Sequence, residues 1–153
     1  MQSITYGEVS YEQMFNLIKD YVMEDSSRQY HISVGTDSQN FDFTKVVMVV
    51  AVWRVGKGGI FFYESKRVKK MTNVRQKILY ETSMSLEMAQ RLSDKLVNEN
   101  LVCEIDIHID AGETGLSSKI IPEIVGWVRA CGFKCKTKPD SYASSSIANK
   151  YSK

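Results

Sequence analysis

The run from Lys45 to Val55 contains almost only apolar residues, and its centre reads Val-Val-Met-Val-Val-Ala-Val-Trp. A strand with one face in water alternates apolar and polar residues, whereas a strand buried on both faces is apolar throughout. β-Branched residues also favour a pleated strand over a helix. This run therefore predicts a central strand of a sheet, buried on both faces, around which the other elements must pack.

Two further strands are predicted on either side of this run. In the stretch from Tyr30 to Asn40, Ile32 and Val34 alternate with small or polar residues, which is the two-residue period of a strand. After the turn at residues 56–59, Ile60 to Val68 returns as a third strand. Short turns connect antiparallel strands, so the three strands are predicted to form an antiparallel meander.

The helices are marked by caps and by helical spacing of apolar residues. Ser10 to Gln13 has the form of a capping box and predicts a helix over residues 11–24. From Thr72-Asn73 to about Glu99 there is no Gly or Pro, which predicts one long helix. The remaining predicted elements are a strand over 101–110, a helix over 117–131, a short strand over 133–138 and a final helix that begins near Pro139.

Length and composition indicate one globular unit. The 153 residues, 43% of them hydrophobic, are enough for one domain with a sizeable core, so we expect a single domain over residues 1–153. No apolar run approaches the roughly 20 residues that cross a bilayer, and the first residues do not resemble a signal peptide. We therefore expect a cytoplasmic protein with no membrane partner. The three cysteines, an odd number without zinc-site spacing, are expected to be reduced packing residues.

Three carboxylates are the candidates for chemistry. Asp37 and Asp110 are each predicted at the end of a strand, and Glu81 lies on the inward stripe of the long helix, where an apolar residue would be expected. Taken alone, Asp37 and Ser38 are explained as well by a turn. A buried, unpaired carboxylate is costly, however, which favours a role for Glu81 toward something positive. Asp106 and His108 share the face of Asp110 but lie deeper, where a salt bridge or a satisfied polar contact is a better explanation than a metal site.

If the first and fourth strands are neighbours and the long helix crosses them, the three carboxylates meet at one edge of the sheet. Such a cluster needs cations, and oxygen-only ligands favour hard ions, here Mg²⁺ or Mn²⁺. Two such ions about 4 Å apart stabilise the attacking and leaving oxygens of a phosphodiester displacement. The sequence therefore predicts Asp37, Glu81 and Asp110 as metal ligands and catalytic residues.

Basic residues are concentrated in two segments, although the net charge is only +2. Six basic and no acidic residues lie between Lys66 and Lys77, and six more lie between Arg129 and Lys153, with Asp140 as the single acid. These segments are consistent either with a solvated basic surface or with a track for a phosphate backbone. The phosphate-track hypothesis gives nucleic acid as the partner, with Ser38, Lys66, Lys69, Lys70, Lys138 and Lys150 as candidate substrate-binding residues.

Three motifs resemble a known family. The segments Gly35-Thr36-Asp37-Ser38-Gln39, Asp110-Ala111-Gly112 and Lys138-Pro-Asp-Ser-Tyr-Ala-Ser-Ser, in this order of elements, are similar to the YkuK family of ribonuclease H-like proteins. The resemblance covers nearly the whole chain. It implies an α/β fold with an RNase H-like mixed five-stranded sheet in the order 3-2-1-4-5, strands 1–3 antiparallel, flanked by helices and with an extra N-terminal helix. It also implies a metal-dependent nuclease site with Asp37, Glu81 and Asp110 as its acidic core.

The chain departs from this pattern at the last predicted helix. RNase H-like nucleases usually place a fourth metal ligand there, and the Ala-Asp of the family is replaced by Ala148-Asn149. Asn149 can offer a carbonyl oxygen to the metal but brings no charge. Asp140 is the nearest substitute, with a competing role as a helix N-cap.

Two other functions remain open from the sequence. A nucleic-acid-binding or adaptor module that keeps the fold without turnover is favoured by Asn149. A nucleotide phosphohydrolase ranks last, because actin-like ATPases also place Asp-x-Gly after a strand but need two such domains, and this chain has one.

Overall fold

The computed structural model describes residues 1–3, 5–111 and 118–137. In these residues, seven strands form one mixed sheet and three helices pack on it. The elements, in chain order, are β1 (Gln2–Ser3), β2 (Gly7–Glu8), α1 (Tyr11–Glu24), β3 (Tyr30–Asn40), β4 (Thr44–Arg54), β5 (Gly59–Val68), α2 (Val74–Asn98), β6 (Glu104–Ile109), α3 (Ile121–Ala130) and β7 (Lys134–Lys136).

The prediction of a five-stranded sheet was wrong, because the sheet has seven strands in the order β2-β1-β5-β4-β3-β6-β7. The two additional strands, β1 and β2, lie at the edge beside β5 and have only two residues each, which is too short to show a strand period in the sequence. The long strands do form the predicted meander: β3, β4 and β5 pair antiparallel, while β6 and β7 add on in parallel. The α/β class and the N-terminal helix are as expected.

Strand β3 extends beyond the point where the sequence suggested a turn. It continues past Asp37 to Asn40, because β4 pairs with it along its whole length, from Tyr30↔Arg54 to Asn40↔Thr44. Strand β6 is shorter than predicted and begins at Glu104 rather than at Leu101. Asp37 therefore lies inside a strand, whereas Asp110 immediately follows one.

The first two helices form where the sequence predicts them. Ser10 accepts a hydrogen bond from the Gln13 amide, and the Gln13 side chain accepts one from the Ser10 amide, which completes the capping box of α1. Asn73 caps α2 through the Gln76 amide. Helix α3 begins at Ile121, four residues later than predicted, and Gly132 follows its end with a φ of +91°. The predicted final helix lies outside the described residues.

The main core lies between the sheet and the three helices. Apolar side chains of β3, β4 and β6 pack there against α1, α2 and α3, among them Ile32, Val34, Met48, Ile107, Met14, Leu92 and Ile124. Val47 and Val49, on the other face of β4, are also fully buried, so β4 is buried on both faces as predicted. All three cysteines are free thiols. Helices that could span a bilayer are absent from the described part of the chain.

Candidate acidic site

Asp37 and Asp110 are neighbours because the parallel pairing of β3 and β6 ends just before them. The last parallel pair is Thr36↔Ile109, so Asp37 and Asp110 are the next residues on adjacent strands and lie on the same face. Their carboxyl groups share a hydrogen bond. Asp37 is buried, with 7% of its surface exposed. The structure thus brings together the two acids that the sequence predicted at strand ends.

Glu81 reaches the same site because α2 runs along β3 with a matching repeat. The Thr36 hydroxyl lies 2.7 Å from the Ser85 hydroxyl, and the Ser38 hydroxyl donates a hydrogen bond to Glu81 Oε2. Two residues along a strand and four along a helix both advance by about 6 to 7 Å, so both contacts are made at once. Ser38, predicted as a substrate contact, instead holds Glu81 in this structure.

The electrostatics of the site favour protonated carboxyl groups. Burial, the hydrogen bond with Asp110 and the charge of Asp110 raise the pKa of Asp37 to about 7, against the opposing effect of the Ser38 amide, which donates to Asp37 at 2.9 Å. Burial also raises the pKa of Glu81 to about 8; the Ser38 hydrogen bond acts in the opposite direction, and the charges of Asp37 and Asp110 add to the rise. The three acids therefore act on one another as like charges.

Lys77 is a residue of this site that the sequence interpretation missed. Its positive charge lowers the pKa of both Asp37 and Glu81, although not enough to offset burial. It had been counted only as part of the basic segment. The available signal was its spacing: Lys77 lies one helical turn before Glu81 on α2, and residues four apart on a helix share a face.

The chemistry of the donors fits a hard divalent cation. Asp37 is buried and Glu81 and Asp110 are partly buried, and a bound cation would offset the burial and the like charges that raise the pKa values of Asp37 and Glu81. Within residues 1–3, 5–111 and 118–137, however, no group of three His, Cys, Asp or Glu side chains is arranged to hold a metal ion. Mg²⁺ commonly uses only one or two carboxylates and keeps several waters. Asp37 and Asp110 would hold such an ion, with Glu81 beside them.

Of the candidate substrate-binding lysines, the sheet register relates Lys66 to this site. Lys66 lies in the same row of the sheet as Ser38, through the pairs Ser38↔Val46 and Val46↔Lys66, which is about 10 Å across two strand spacings. Its ammonium group lies 5.4 Å from the centre of the Tyr80 ring. Lys69 and Lys70 are exposed just after β5. The other candidates, Lys138, Asn149, Lys150 and the alternative ligand Asp140, lie outside the described residues.

A second acidic group lies deeper in the sheet and is surrounded by basic side chains. The Asp106 carboxylate has no exposed surface; its oxygens lie 2.5 Å from His31 Nε2, 3.5 Å from His108 Nε2 and 3.4 Å from Lys136 Nζ. Burial acts to raise the pKa of Asp106, but the hydrogen bond with His108 and the charge of His31 outweigh it and lower the pKa. This confirms the expected salt bridge and separates Asp106 from the acidic site.

The raised pKa values predict how the stability of the metal-free protein depends on pH. A carboxyl group with a raised pKa in the folded state stabilises the fold fully below its unfolded pKa, near 4, and this contribution is lost as pH rises through about 7 for Asp37. Asn cannot ionise, so Asp37→Asn should lose less stability as pH rises. We expect it to be more stable than the natural protein at pH 8, by on the order of 2 kcal/mol. Urea denaturation with chelator at pH 5 and pH 8 measures it. Asp94→Asn, an exposed acid on α2, should keep the natural pH dependence.

Comparisons with known proteins identify the family of this chain. The family model described as Ribonuclease H-like matches residues 13–153. The relative described as "Uncharacterized protein YkuK", from Bacillus subtilis (strain 168), is 29% identical over 164 residues, which cover 99% of this chain and 95% of the relative. A solved structure of the Mos1 transposase catalytic domain with raltegravir and Mg aligns at 12% identity with a TM-score of 0.28, covering 84% of this chain and 62% of that one. Because the family model matches most of the chain, this protein belongs to the ribonuclease H-like family, and it is similar to YkuK.

Proposed function

We propose that this protein is a divalent-metal-dependent nuclease that hydrolyses phosphodiester bonds of RNA or DNA. The observation that carries the proposal is the contact between Asp37 and Asp110, with Glu81 beside them, at a site where burial and like charges raise the pKa values of Asp37 and Glu81. A purely structural role would favour a neutralised arrangement, such as the one around Asp106. The ribonuclease H-like family supports the same class of chemistry.

Each residue has a distinct role in the proposal. Asp37 and Asp110 would hold Mg²⁺ or Mn²⁺, and Glu81 would complete the site. The bound ion supplies charge stabilisation to the phosphodiester oxygens and helps to activate the attacking water. Ser38 fixes the orientation of Glu81 through its hydroxyl, and Lys77 reduces the repulsion between the acids before the ion and substrate arrive. Asn149 is the proposed fourth ligand, through its carbonyl oxygen.

A direct test is cleavage of end-labelled RNA and DNA, both single- and double-stranded, by purified protein with Mn²⁺, Mg²⁺ or chelator. We expect products only with a divalent ion. A crystal soaked with Mn²⁺ would show by anomalous scattering which carboxylates bind the ion. Metal bound at Asp37 and Asp110 without any cleavage of the four substrates would contradict the nuclease proposal.

The exposed lysines after β5 give a prediction about affinity. Replacing Lys69 and Lys70 with Ala should weaken nucleic-acid binding similarly for all sequences and reduce its dependence on salt. Each phosphate contact releases counterions when it forms, so the loss of two contacts should make the slope of log K against log salt less steep by about 1.4 to 1.8. Binding titrations from about 50 to 200 mM salt measure this slope. Lys19 lies on α1 and pairs with Glu99, which follows the end of α2. Lys19→Ala is the matched control and should leave the slope unchanged.

A second candidate function is a nucleic-acid-binding module without turnover. It is favoured by Asn149, which brings no negative charge to the proposed fourth ligand position. This candidate predicts that natural protein and Asp37→Asn bind nucleic acid equally and that neither cleaves it above background.

A further inference from the structure

The turn between β3 and β4 presents two aromatic rings beside the acidic site. The Phe41 amide donates to the Phe43 carbonyl at 2.7 Å, which makes the turn tight, and the two ring centres lie 5.5 Å apart. Phe41 is 45% exposed, although burying a Phe ring is usually favourable. An exposed, paired aromatic group at a turn is therefore a feature that the packing of the fold does not explain.

Cationic groups surround these rings. The Arg67 guanidinium lies 4.4 Å from the centre of the Phe43 ring, and Lys45 pairs with Arg67 across β4 and β5. Lys69 and Lys70 follow on the same segment. The turn itself carries one acid, Asp42. An exposed ring beside a partly buried one, with an excess of cations, is typical of surfaces that bind single-stranded nucleic acid, where bases stack on rings and cations contact phosphates.

The base of the turn is held rigidly to the basic segment. Asn40 donates to the Met71 carbonyl at 2.9 Å, Thr44 donates to the Asn40 side chain at 2.7 Å, and the Met71 amide donates to the Thr44 hydroxyl at 2.8 Å. Thr44 is fully buried and Met71 is 4% exposed. A ring on a fixed support loses little conformational entropy on binding, which makes it a better binding group than a ring on a free loop.

The position of the turn connects it to the acidic site. Asp37 and Phe41 lie on the same chain segment, four residues apart, so at most about 13 Å separates them at strand spacing. Strand β3 leads from one to the other without interruption up to Asn40. A nucleic acid whose phosphate lies at Asp37 can therefore place a nearby base over Phe41.

We propose that Phe41 and Phe43, with Arg67, form a stacking platform that binds an unpaired base of single-stranded nucleic acid next to the acidic site. Bases within a duplex are stacked on each other, so their faces are not available to the platform. The substrate class of the site is then single-stranded RNA or DNA, or a single-stranded end or loop. This inference rests on the proposed function for the identity of the ligand and adds its strandedness.

The test separates binding from cleavage. Fluorescence anisotropy with labelled 12-nucleotide single strands of RNA and DNA, and with duplexes of the same sequence, is measured with chelator in the Asp37→Asn background, where no cleavage can occur. We expect Phe41→Ala to weaken single-strand binding about 10-fold and duplex binding less than 2-fold, because stacking on one ring contributes a factor of this order. Phe41→Tyr should bind like the parent, because it retains the ring.

The control is Tyr6→Ala, which removes a ring of similar exposure, 48%, on the turn between β1 and β2. It should leave binding unchanged, and circular dichroism would verify that each variant is folded. An equal loss for duplex and single strand, or no loss in Phe41→Ala, would overturn the platform. The platform would also be overturned if Phe41→Ala changed only the self-association of the protein, because the rings would then form an interface between two copies of the chain. If Phe41 contributes to single-strand binding but the natural protein never cleaves, the platform stands and the nuclease proposal fails.

Discussion

Replacing Asp37 with Asn should abolish divalent-metal-dependent cleavage while leaving the protein folded. Asp37 is the central carboxylate of the site, in contact with Asp110 and acted on by Lys77. The amide of Asn keeps the shape of the side chain and can donate to Asp110, but it removes the charge that attracts a hard cation. Residues that only support a metal ligand typically contribute about 10- to 100-fold to metal affinity or activity. For a direct ligand we therefore expect the cleavage rate to fall by at least about 100-fold.

The measurement is the initial rate of cleavage at saturating Mn²⁺ for the natural protein, Asp37→Asn and the control Asp94→Asn. The control should cleave at the natural rate, because Asp94 is exposed on α2 and its carboxylate accepts a hydrogen bond from Gln90. Binding of nucleic acid with chelator should persist in Asp37→Asn, since the lysines remain. A rate for Asp37→Asn within a few-fold of natural would show that the reaction does not depend on this site.

Removing the Asp106 carboxylate should cause a large loss of stability. The group is fully buried and is in contact with His31, His108 and Lys136. Asp106→Ala leaves these partners without their common acceptor, and breaking a buried ion pair in this way costs several kcal/mol. Lys136 is partly exposed, which reduces the cost. We expect a loss of about 3 kcal/mol, or a Tm lower by about 6 to 12 °C for a chain of this size.

The pH dependence gives an independent check of the Asp106 prediction. The pKa of Asp106 is lowered in the fold, so its contribution is present above its unfolded pKa, near 3.8, and is lost as pH falls through the lower folded value. The deficit of Asp106→Ala should therefore be large at pH 7 and smaller near pH 3. Glu104→Gln, on the same strand but half exposed, should cost much less stability, because water screens its ion pairs. A deficit for Asp106→Ala no greater than that of Glu104→Gln would mean that the buried ion pairs contribute little net stability.

The sequence alone determined the long elements, because their patterns are strong and local. Strand β4 is apolar from Val46 to Trp53, α2 lacks Gly and Pro between a cap and its end, and the capping box of α1 forms as its residues predict. The candidate acids were also visible, since Asp37 and Asp110 lie at the predicted ends of strands and Glu81 interrupts an apolar stripe. Strands β1 and β2 could not be predicted, because a two-residue strand has no period and forms only where β5 offers an edge.

What the tertiary structure decided was which of these groups meet. Asp37 and Asp110 become neighbours only because β3 and β6 pair in parallel and the pairing ends at Thr36↔Ile109. The role of Ser38 in holding Glu81 depends on the crossing of α2 over β3, which no local pattern encodes. The pKa values also depend on packing. Asp37 and Asp106 have the same side chain, yet burial beside another acid raises the pKa of Asp37, whereas basic neighbours lower the pKa of Asp106. Residue type is a property of the sequence, whereas the neighbours that set its charge state are fixed by packing.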